Sequence, residues 1–309
     1  MSSILAFLLH VLVAFVALAS LLAICCARRP WLGIPQHWGL QLWQLSLVGL
    51  IGSIWSLDLV ALLLSAAVAA YWSWCLWPRK APPAPGGSTL LRIVSANLLH
   101  QNNAFDRARQ AIAALEADVV VLCETTPVAR AHFKALEAQF AHRVDTCAPD
   151  SLYGIVILSR FPLTERSRGI GEDAPPRHLA VDLDVDGRAI TLIAIHPTNP
   201  LRCSRAHRVP GEFEAVAALC RAARDDLILI GDCNAAGWSH WLRRLEAAAG
   251  LSNDRAIRPS WPVWLPMAVR LPLDHVWVRG RVTLQRAALG PRFGSDHLPL
   301  IAELGWRAE

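Results

Sequence analysis

Charge is almost absent from the first quarter of the chain. Residues 1–77 carry only Arg28, Arg29 and Asp58 as charged side chains. This excludes a soluble fold for that stretch, and it is where the chain's overall hydrophobic share of 54% is concentrated. No Lys or Arg precedes the first apolar run, which argues against a cleavable secretory leader. Leu22-Ala23-Ile24-Cys25 matches a lipoprotein cleavage box only loosely, because Ile24 is bulky where a small residue is expected. Compact cysteine spacing is also missing. The five cysteines of the later part (Cys123, Cys147, Cys203, Cys220 and Cys233) are an odd number without pattern. They form no disulfide framework and lean toward a reducing compartment. From Leu90 onward there are 26 basic and 24 acidic residues, too even a balance for a nucleic-acid track. There is no internal repeat, and the single biased tract is the Pro/Gly-rich run at 78–88.

Three long apolar stretches fill the space where charge is missing. Residues 4–26 are long enough to cross about 30 Å of hydrocarbon. Residues 39–55 and 59–77 read as two further spans joined by a turn at Ser56-Leu57-Asp58. One long re-entrant element is the alternative. Trp31 and Trp38 flank the first loop, Trp72, Trp74 and Trp77 end the third stretch, and Trp55 marks the hairpin tip. That distribution fits two interfacial belts. It puts Arg28, Arg29, Arg79 and Lys80 on one side, which the positive-inside rule makes cytoplasmic, with the N-terminus outside. The chain therefore divides into a membrane region at 1–77, a linker at 78–89 and a folded domain at 90–309. It reads as a multi-pass protein of the inner or plasma membrane with a cytoplasmic domain. A periplasmic or extracellular domain is the alternative.

The domain alternates strand and helix patterns. Strands are expected at 90–96, 119–123, 153–159, 179–185, 190–195, 227–230, 275–278, 282–289 and 298–304. Helices are expected at 105–117, 128–140, 205–223 and 240–249, the last capped by Gly250. Asp186-Gly187 joins two strands as a hairpin. Hairpins mixed with crossover helices indicate an α/β domain with mixed sheets.

Polar residues recur at the ends of these strands, where α/β sites form. Asn97 follows Val94-Ser95-Ala96. Glu124 follows Val119 to Cys123. His196 follows Ile193-Ala194-Ile195. Gly231-Asp232-Cys233-Asn234 follows Leu227 to Ile230, placing a carboxylate and a carboxamide two residues apart, although Gly-Asp-x-Asn also makes an ordinary Asx turn. Asp274-His275 and Ser295-Asp296-His297 complete the series. Each alone has a bland reading as a cap, a turn or a solvated strand end. Cys123 and Cys233 alternate away from this face and read as core residues.

The ordered set Asn97, Glu124, His196, Gly231-Asp232-x-Asn234, Asp274-His275-Val276 and Ser295-Asp296-His297 resembles the endonuclease/exonuclease/phosphatase superfamily. Ile157-Leu158-Ser159-Arg160 is similar to that family's Leu-Ser-Arg strand end. The resemblance covers residues 90–304, and the membrane part is similar to a bacterial subgroup in which such a domain follows several spans. It implies a four-layer sandwich of two mixed sheets flanked by helices. It implies a divalent metal, Mg²⁺ or Mn²⁺, and hydrolysis of a phosphate monoester or diester. On this pattern Glu124 would ligate the metal, Asn97 would position Glu124 or a metal-bound water, and Asp296 would complete or orient the shell. Asp232 would be the base, Asn234 would hold a phosphate oxygen, and His196 would contact the phosphate from the other side. His297 would stabilise the pentacovalent phosphorane, held by Asp274.

Two basic clusters are candidate phosphate clamps: Arg177-His178, and Arg202 with Arg205 and Arg208. Exposed charges at a helix start are the plainer reading of the second cluster. Trp261, Trp264 and Met267 form an apolar segment before Asp274. It reads either as a loop over the core or as a lip near a bilayer. The functional expectation is a membrane-anchored metal-dependent phosphoesterase whose substrate is a phosphate ester, with a lipid-linked one favoured by the anchor. A membrane-tethered nuclease is the second reading and a non-catalytic scaffold the third.

Overall fold

The computed structural model describes residues 3–29, 31–77, 91–149, 152–169, 177–201 and 204–307. The expected linker at 78–89, with Arg79 and Lys80, and the candidate clamp residue Arg202 lie outside them.

The charge-poor stretch forms three helices, α1 (Ser3–Cys25), α2 (Gly39–Ser56) and α3 (Leu59–Leu76). Helices α1 and α3 are long and apolar enough to cross a membrane by length and composition. Helix α2 is not among these; it carries Gln41 and Gln44. Leu57 closes α2 in a left-handed conformation, and the Asp58 side chain caps α3 by accepting from Ala61 N–H at 3.0 Å. His10 of α1 pairs with Asp58 at 2.8 Å. The bundle is stitched by tryptophan–serine pairs: Trp72 Nε1 donates to Ser20 at 2.9 Å, and Trp43 Nε1 donates to Ser73 at 2.8 Å. Small residues let helices approach, since a Cβ on Gly49 would lie 2.7 Å from Ser65 Oγ.

The remainder is a sandwich of two mixed sheets. One sheet holds β1 (Leu91–Asn97), β2 (Val119–Thr125), β3 (His142–Asp145), β4 (Gly154–Ser159), β10 (Val282–Leu289) and β11 (Leu300–Trp306), in the order β10-β11-β1-β2-β4-β3. The other holds β5 (Leu163–Gly169), β6 (His178–Val185), β7 (Arg188–Ile195), β8 (Leu227–Asp232) and β9 (Asp274–Arg279), in sequence order. Pairs β1–β2 and β7–β8 are parallel and the rest are antiparallel. The facing surfaces bury Ile93, Val121 and Ile157 against Val181, Leu192 and Ile230. On one outer face α4 (Phe105–Ala113) and α5 (Pro127–Phe133) pack on Val94, Val120 and Leu122. On the other, α6 (Val209–Ala222) and α7 (His240–Ala249) pack on Ile193, Leu229 and Trp277. This gives four layers.

Strands β3 and β5 fall where the sequence indicated none. Both are edge strands, and Leu163–Gly169 alternates half-buried with exposed polar residues, so no apolar run announces it. Helix α4 stops at Ala113 rather than 117, and the expected helix at 128–140 is one α-helical stretch followed by a 3-10 turn at Lys134–Gln139. Helix α6 begins at Val209, after a 3-10 turn at Ala206–Arg208, rather than at 205.

The bundle and the sandwich are joined through the turn after β8. Ala236 and Trp238 are buried among side chains of α1, α2 and α3. Trp238 Nε1 donates to Gln36 O at 2.7 Å, His240 N–H donates to Gln36 Oε1 at 2.7 Å, and Ala236 N–H donates to His37 Nδ1 at 3.2 Å. The short 3-10 segment Ile34–Trp38 between α1 and α2 is thus the seat for the domain.

Candidate active site

Strand register brings the polar strand ends together. Parallel pairing sets Asn97 opposite Cys123, so the Asn97 amide reaches the next residue, Glu124. Parallel pairing of Ile195 with Gly231 places His196 beside Asp232. Antiparallel pairing sets Asp232 opposite Asp274. Gly231 is required here: its φ is +146°, and a Cβ would lie 2.1 Å from Ile195 O.

Two site residues are aimed by left-handed backbone. Glu124 has φ +55° at an irregularity in the β2–β4 ladder, and Asn234 has φ +48°. Such a conformation costs a non-glycine residue roughly 1–2 kcal/mol, and a bulge next to a site re-aims a side chain. The Asx turn foreseen at Asp232 is present, with Asn234 N–H donating to Asp232 Oδ1 at 2.8 Å. Turn and site are the same object, because that turn fixes both side chains.

Asn97 is the hub. Its Nδ2 donates to Glu124 Oε1 at 3.1 Å and to Asp232 Oδ2 at 2.9 Å, while its Oδ1 accepts from Leu99 N–H at 2.9 Å. In this orientation Asn97 positions two carboxylates, and its Oδ1 keeps a second lone pair. Glu124 Oε2 takes a bond from His100 N–H at 3.0 Å and sits 2.7 Å from His100 Nδ1. His100 was not foreseen, since it lies on a turn three residues after the strand end. Burial disfavours charge on Glu124, but His196 and the bonds from His100 and Asn97 outweigh it and hold its pKa at about 2. His196 is itself buried beside Arg177, which lowers its pKa to about 3. Its ring is therefore neutral at pH 7.

The second cluster is Asp232, Asp274 and His297, all buried. His297 Nδ1 lies 2.9 Å from Asp274 Oδ2, and His297 Nε2 lies 3.6 Å from Asp232 Oδ2. Burial would lower the His297 pKa, but the carboxylates of Asp274 and Asp232 outweigh it and raise it to about 10. The ligand atoms of these three groups lie within 4.8 Å of one another, close enough to hold a metal ion, and the two carboxylates also favour a charged imidazolium. Asp232 is pushed up to about 7 by burial, against the pull of His297. Ser295 Oγ donates to Asn97 O at 2.7 Å and accepts from His297 N–H at 3.1 Å, which fastens the Ser-Asp-His turn to β1.

The other predicted residues lie around this core. Asn234 Nδ2 donates to Pro197 O at 3.0 Å. Arg177 Nε donates to His196 O at 2.9 Å, and its guanidinium stacks on Tyr153 at 4.6 Å. Glu124, Tyr153, Arg177, His196, Arg205 and Asn234 line one pocket. Asp296 accepts from Trp261 Nε1 at 2.8 Å, and the Trp261 ring lies 6.3 Å from that of His297. Of the three residues expected at the metal, Glu124 is the ionised carboxylate that lines the pocket, a hard oxygen donor suited to a cation that keeps most of its waters. Among the described residues, His196 Nδ1 and Asp274 Oδ1 are buried without a hydrogen-bond partner. Unsatisfied buried polar atoms at this point suit a polar ligand. Cys123 and Cys233 are fully buried, and burial pushes both thiols up, so they are core residues.

Comparison with known proteins agrees with this fold. D. rerio TDP2 complexed with a single-strand DNA product is 18% identical with a TM-score of 0.56, over 70% of this chain and 98% of that one. An endonuclease/exonuclease/phosphatase from Beutenbergia cavernae DSM 12333 is 18% identical with a TM-score of 0.58, over 71% and 72%. A mutant beta toxin from Staphylococcus aureus with bound magnesium ions is 11% identical with a TM-score of 0.54, over 70% and 99%. A search of curated protein sequences finds no match. The profile of one family covers residues 94–297, from the strand that delivers Asn97 to His297 itself, and the chain belongs to that Endonuclease/Exonuclease/phosphatase family, whose members are metal-dependent phosphoric ester hydrolases.

Proposed function

We propose that the chain is a membrane-anchored, divalent-metal-dependent phosphoesterase, using Mg²⁺ or Mn²⁺, that hydrolyses a phosphate monoester or diester. The observation that carries this is the Asn97 amide bridging an ionised Glu124 and a buried Asp232 that faces His297. Glu124 would hold the divalent cation, which when bound would supply positive charge to neutralise the phosphate and its leaving oxygen. Asp232, its carboxylate oriented by Asn97 and by Asn234 N–H, takes a proton from the attacking water. His297, kept cationic by Asp274, donates to the phosphoryl oxygens as charge builds on the phosphorane. Asn234 and His196 hold phosphate oxygens. Arg177 and Arg205 add positive charge at the pocket wall. Asp296 acts through Trp261 to set the turn that carries His297.

Anchoring is supported by the apolar surface of the bundle. Phe7, Val11, Phe15 and Leu18 on α1 and Leu59, Val60 and Leu63 on α3 are exposed. Contiguous apolar surface of this kind calls for lipid or a partner. The charge rule favours a cytoplasmic domain, and an accessibility assay on one cysteine introduced at Glu309 reports the side. A membrane-tethered nuclease is the second reading, favoured by the likeness to D. rerio TDP2 complexed with a single-strand DNA product. The near-even charge of the domain speaks against it.

Full-length protein in nanodiscs with Mg²⁺ is expected to hydrolyse chromogenic phosphate esters and to stop with EDTA. Activity that survives in both Asp232→Asn and His297→Ala contradicts the reading. Faster nicking of plasmid DNA than turnover of any small ester transfers the assignment to a nuclease.

A further inference from the structure

We propose that residues 264–269 form a bilayer-contacting lip of the active site, and that the phosphate ester taken by the site is carried on a lipid tail lying between this lip and the helical bundle. This rests on the phosphoesterase reading and names its substrate class.

The distribution of exposed apolar side chains comes first. Within the described part of the sandwich, Val128, Leu152, Leu201 and Ile257 are exposed singly. Trp264, Leu265, Met267 and Val269 instead form one patch, exposed by 65%, 38%, 68% and 41%. The segment does not owe this exposure to loose backbone. Val269 N–H donates to Pro266 O at 3.0 Å, and Arg270 braces the loop by donating to Leu265 O at 2.7 Å and Val263 O at 2.9 Å. A braced turn that points large apolar groups outward is suited to an apolar surface. Trp and Met are residues that accept the headgroup region.

Position gives the occupant. Gln41, in the first turn of α2, donates to Ala268 O at 3.3 Å and to Arg270 O at 3.2 Å. The lip is thereby pinned to the end of the bundle where α2 begins. Helices α1 and α3 end at that same end, where Trp31 and Trp77 stand 64% and 73% exposed. The patch is thus continuous in level with the apolar belt of the bundle, and one bilayer surface can meet both.

The seam between bundle and sandwich runs from there toward the phosphate site. A narrow cavity is lined by His37 and Trp38 of the bundle and by Leu201, Asn234, Trp261 and Leu271 of the sandwich. Asn234 also lines the pocket of Glu124 and His196. The Trp261 ring lies between its neighbours, 6.4 Å from Trp264 and 6.3 Å from His297. A single alkyl or prenyl chain laid over the outside of this narrow seam, with its phosphate at Asn234, would leave past Trp38 and Trp261 toward the bilayer. Phosphodiesters of glycerolipids and phosphates of polyprenols share that chemistry.

The test uses the full chain in phosphatidylcholine nanodiscs with Mg²⁺. Hexadecyl p-nitrophenyl phosphate is compared with methyl p-nitrophenyl phosphate, and hexadecyl phosphate with methyl phosphate. The wild type is expected to prefer the long-chain ester. The double substitution Trp264→Ser, Met267→Ser is expected to lower the long-to-short rate ratio about tenfold or more, the effect of withdrawing two large apolar groups from lipid. In a separate readout, Trp264→Phe is expected to remove part of the tryptophan quenching caused by brominated phosphatidylcholine. An unchanged ratio together with unchanged quenching overturns the lip while leaving the phosphoesterase intact. So does a self-association lost in the double variant, which would make the patch a contact between copies. If no ester of either length is hydrolysed, the phosphoesterase reading fails, and the quenching result still decides whether the lip meets lipid.

Discussion

Asn97 and Glu124 end strands of the six-stranded sheet, whereas His196, Asp232 and Asp274 lie at strand ends of the five-stranded sheet. The two groups differ in what surrounds them. Glu124 is held ionised at a pKa of about 2 by His196 and by the hydrogen bonds from His100 and Asn97 at the pocket edge. Asp232 is buried and pushed up to about 7, against a His297 raised to about 10. The first half suits a fixed negative charge for a cation. The second suits groups that change protonation during a reaction. The Asn97 amide spans both halves, which explains why one residue at the end of β1 has two carboxylate partners.

Several substitutions break or sharpen this division. The largest effect is expected for Asp232→Asn, which keeps the side chain's shape but removes the base and turns one of its two accepting oxygens into a donor. Its kcat should fall by about 10²–10⁴, while cation affinity, measured by calorimetry, stays close to wild type. Glu124→Gln should act on the other half. Activity at limiting Mg²⁺ is expected to fall on the order of 10–100-fold and to recover in part at high Mg²⁺. A loss that excess metal does not relieve would erase the distinction between the halves.

Acidity separates them next. Asp232 must be ionised to act, so activity is lost as pH falls through about 7, a limb that a bound cation draws lower. His297 must be protonated, so activity is lost as pH rises through about 10. Asp274 is the largest influence raising that value, and Asp274→Asn should move the alkaline limb of the pH–rate profile to lower pH. The smallest effect is expected for Trp261→Phe, which removes the bond to Asp296 Oδ2 and keeps an aromatic ring. A loss of about threefold to tenfold in kcat, the worth of one net hydrogen bond, fits a positioning role.

The legibility of the molecule followed the same physical lines. Strands with both faces covered were readable, because Val119–Thr125 and Leu227–Asp232 must be apolar almost throughout and a polar residue at their end stands out. Edge strands β3 and β5 were not, since one side of each meets solvent and ordinary polar residues suffice. Within the site, residues at strand ends and in the Ser-Asp-His turn were found, whereas His100 was missed and Trp261 was read only as part of an apolar segment. His100 and Trp261 reach Glu124 and Asp296 through loops whose course no periodicity encodes. Metal assignments were harder still. Asn97 could be placed beside Glu124, but only the bond from Leu99 N–H shows which way its amide faces. The docking of Gln36 and His37 against Trp238 and Ala236 was equally silent, since it pairs segments about 200 residues apart.

The division of labour is tested most directly by Mg²⁺ titration calorimetry on Glu124→Gln and Asp232→Asn, set beside ester hydrolysis by the same two proteins. Weakened Mg²⁺ binding in Glu124→Gln, with near wild-type binding and lost hydrolysis in Asp232→Asn, is the predicted result. Undiminished Mg²⁺ binding in Glu124→Gln, or hydrolysis that persists in Asp232→Asn, would contradict it.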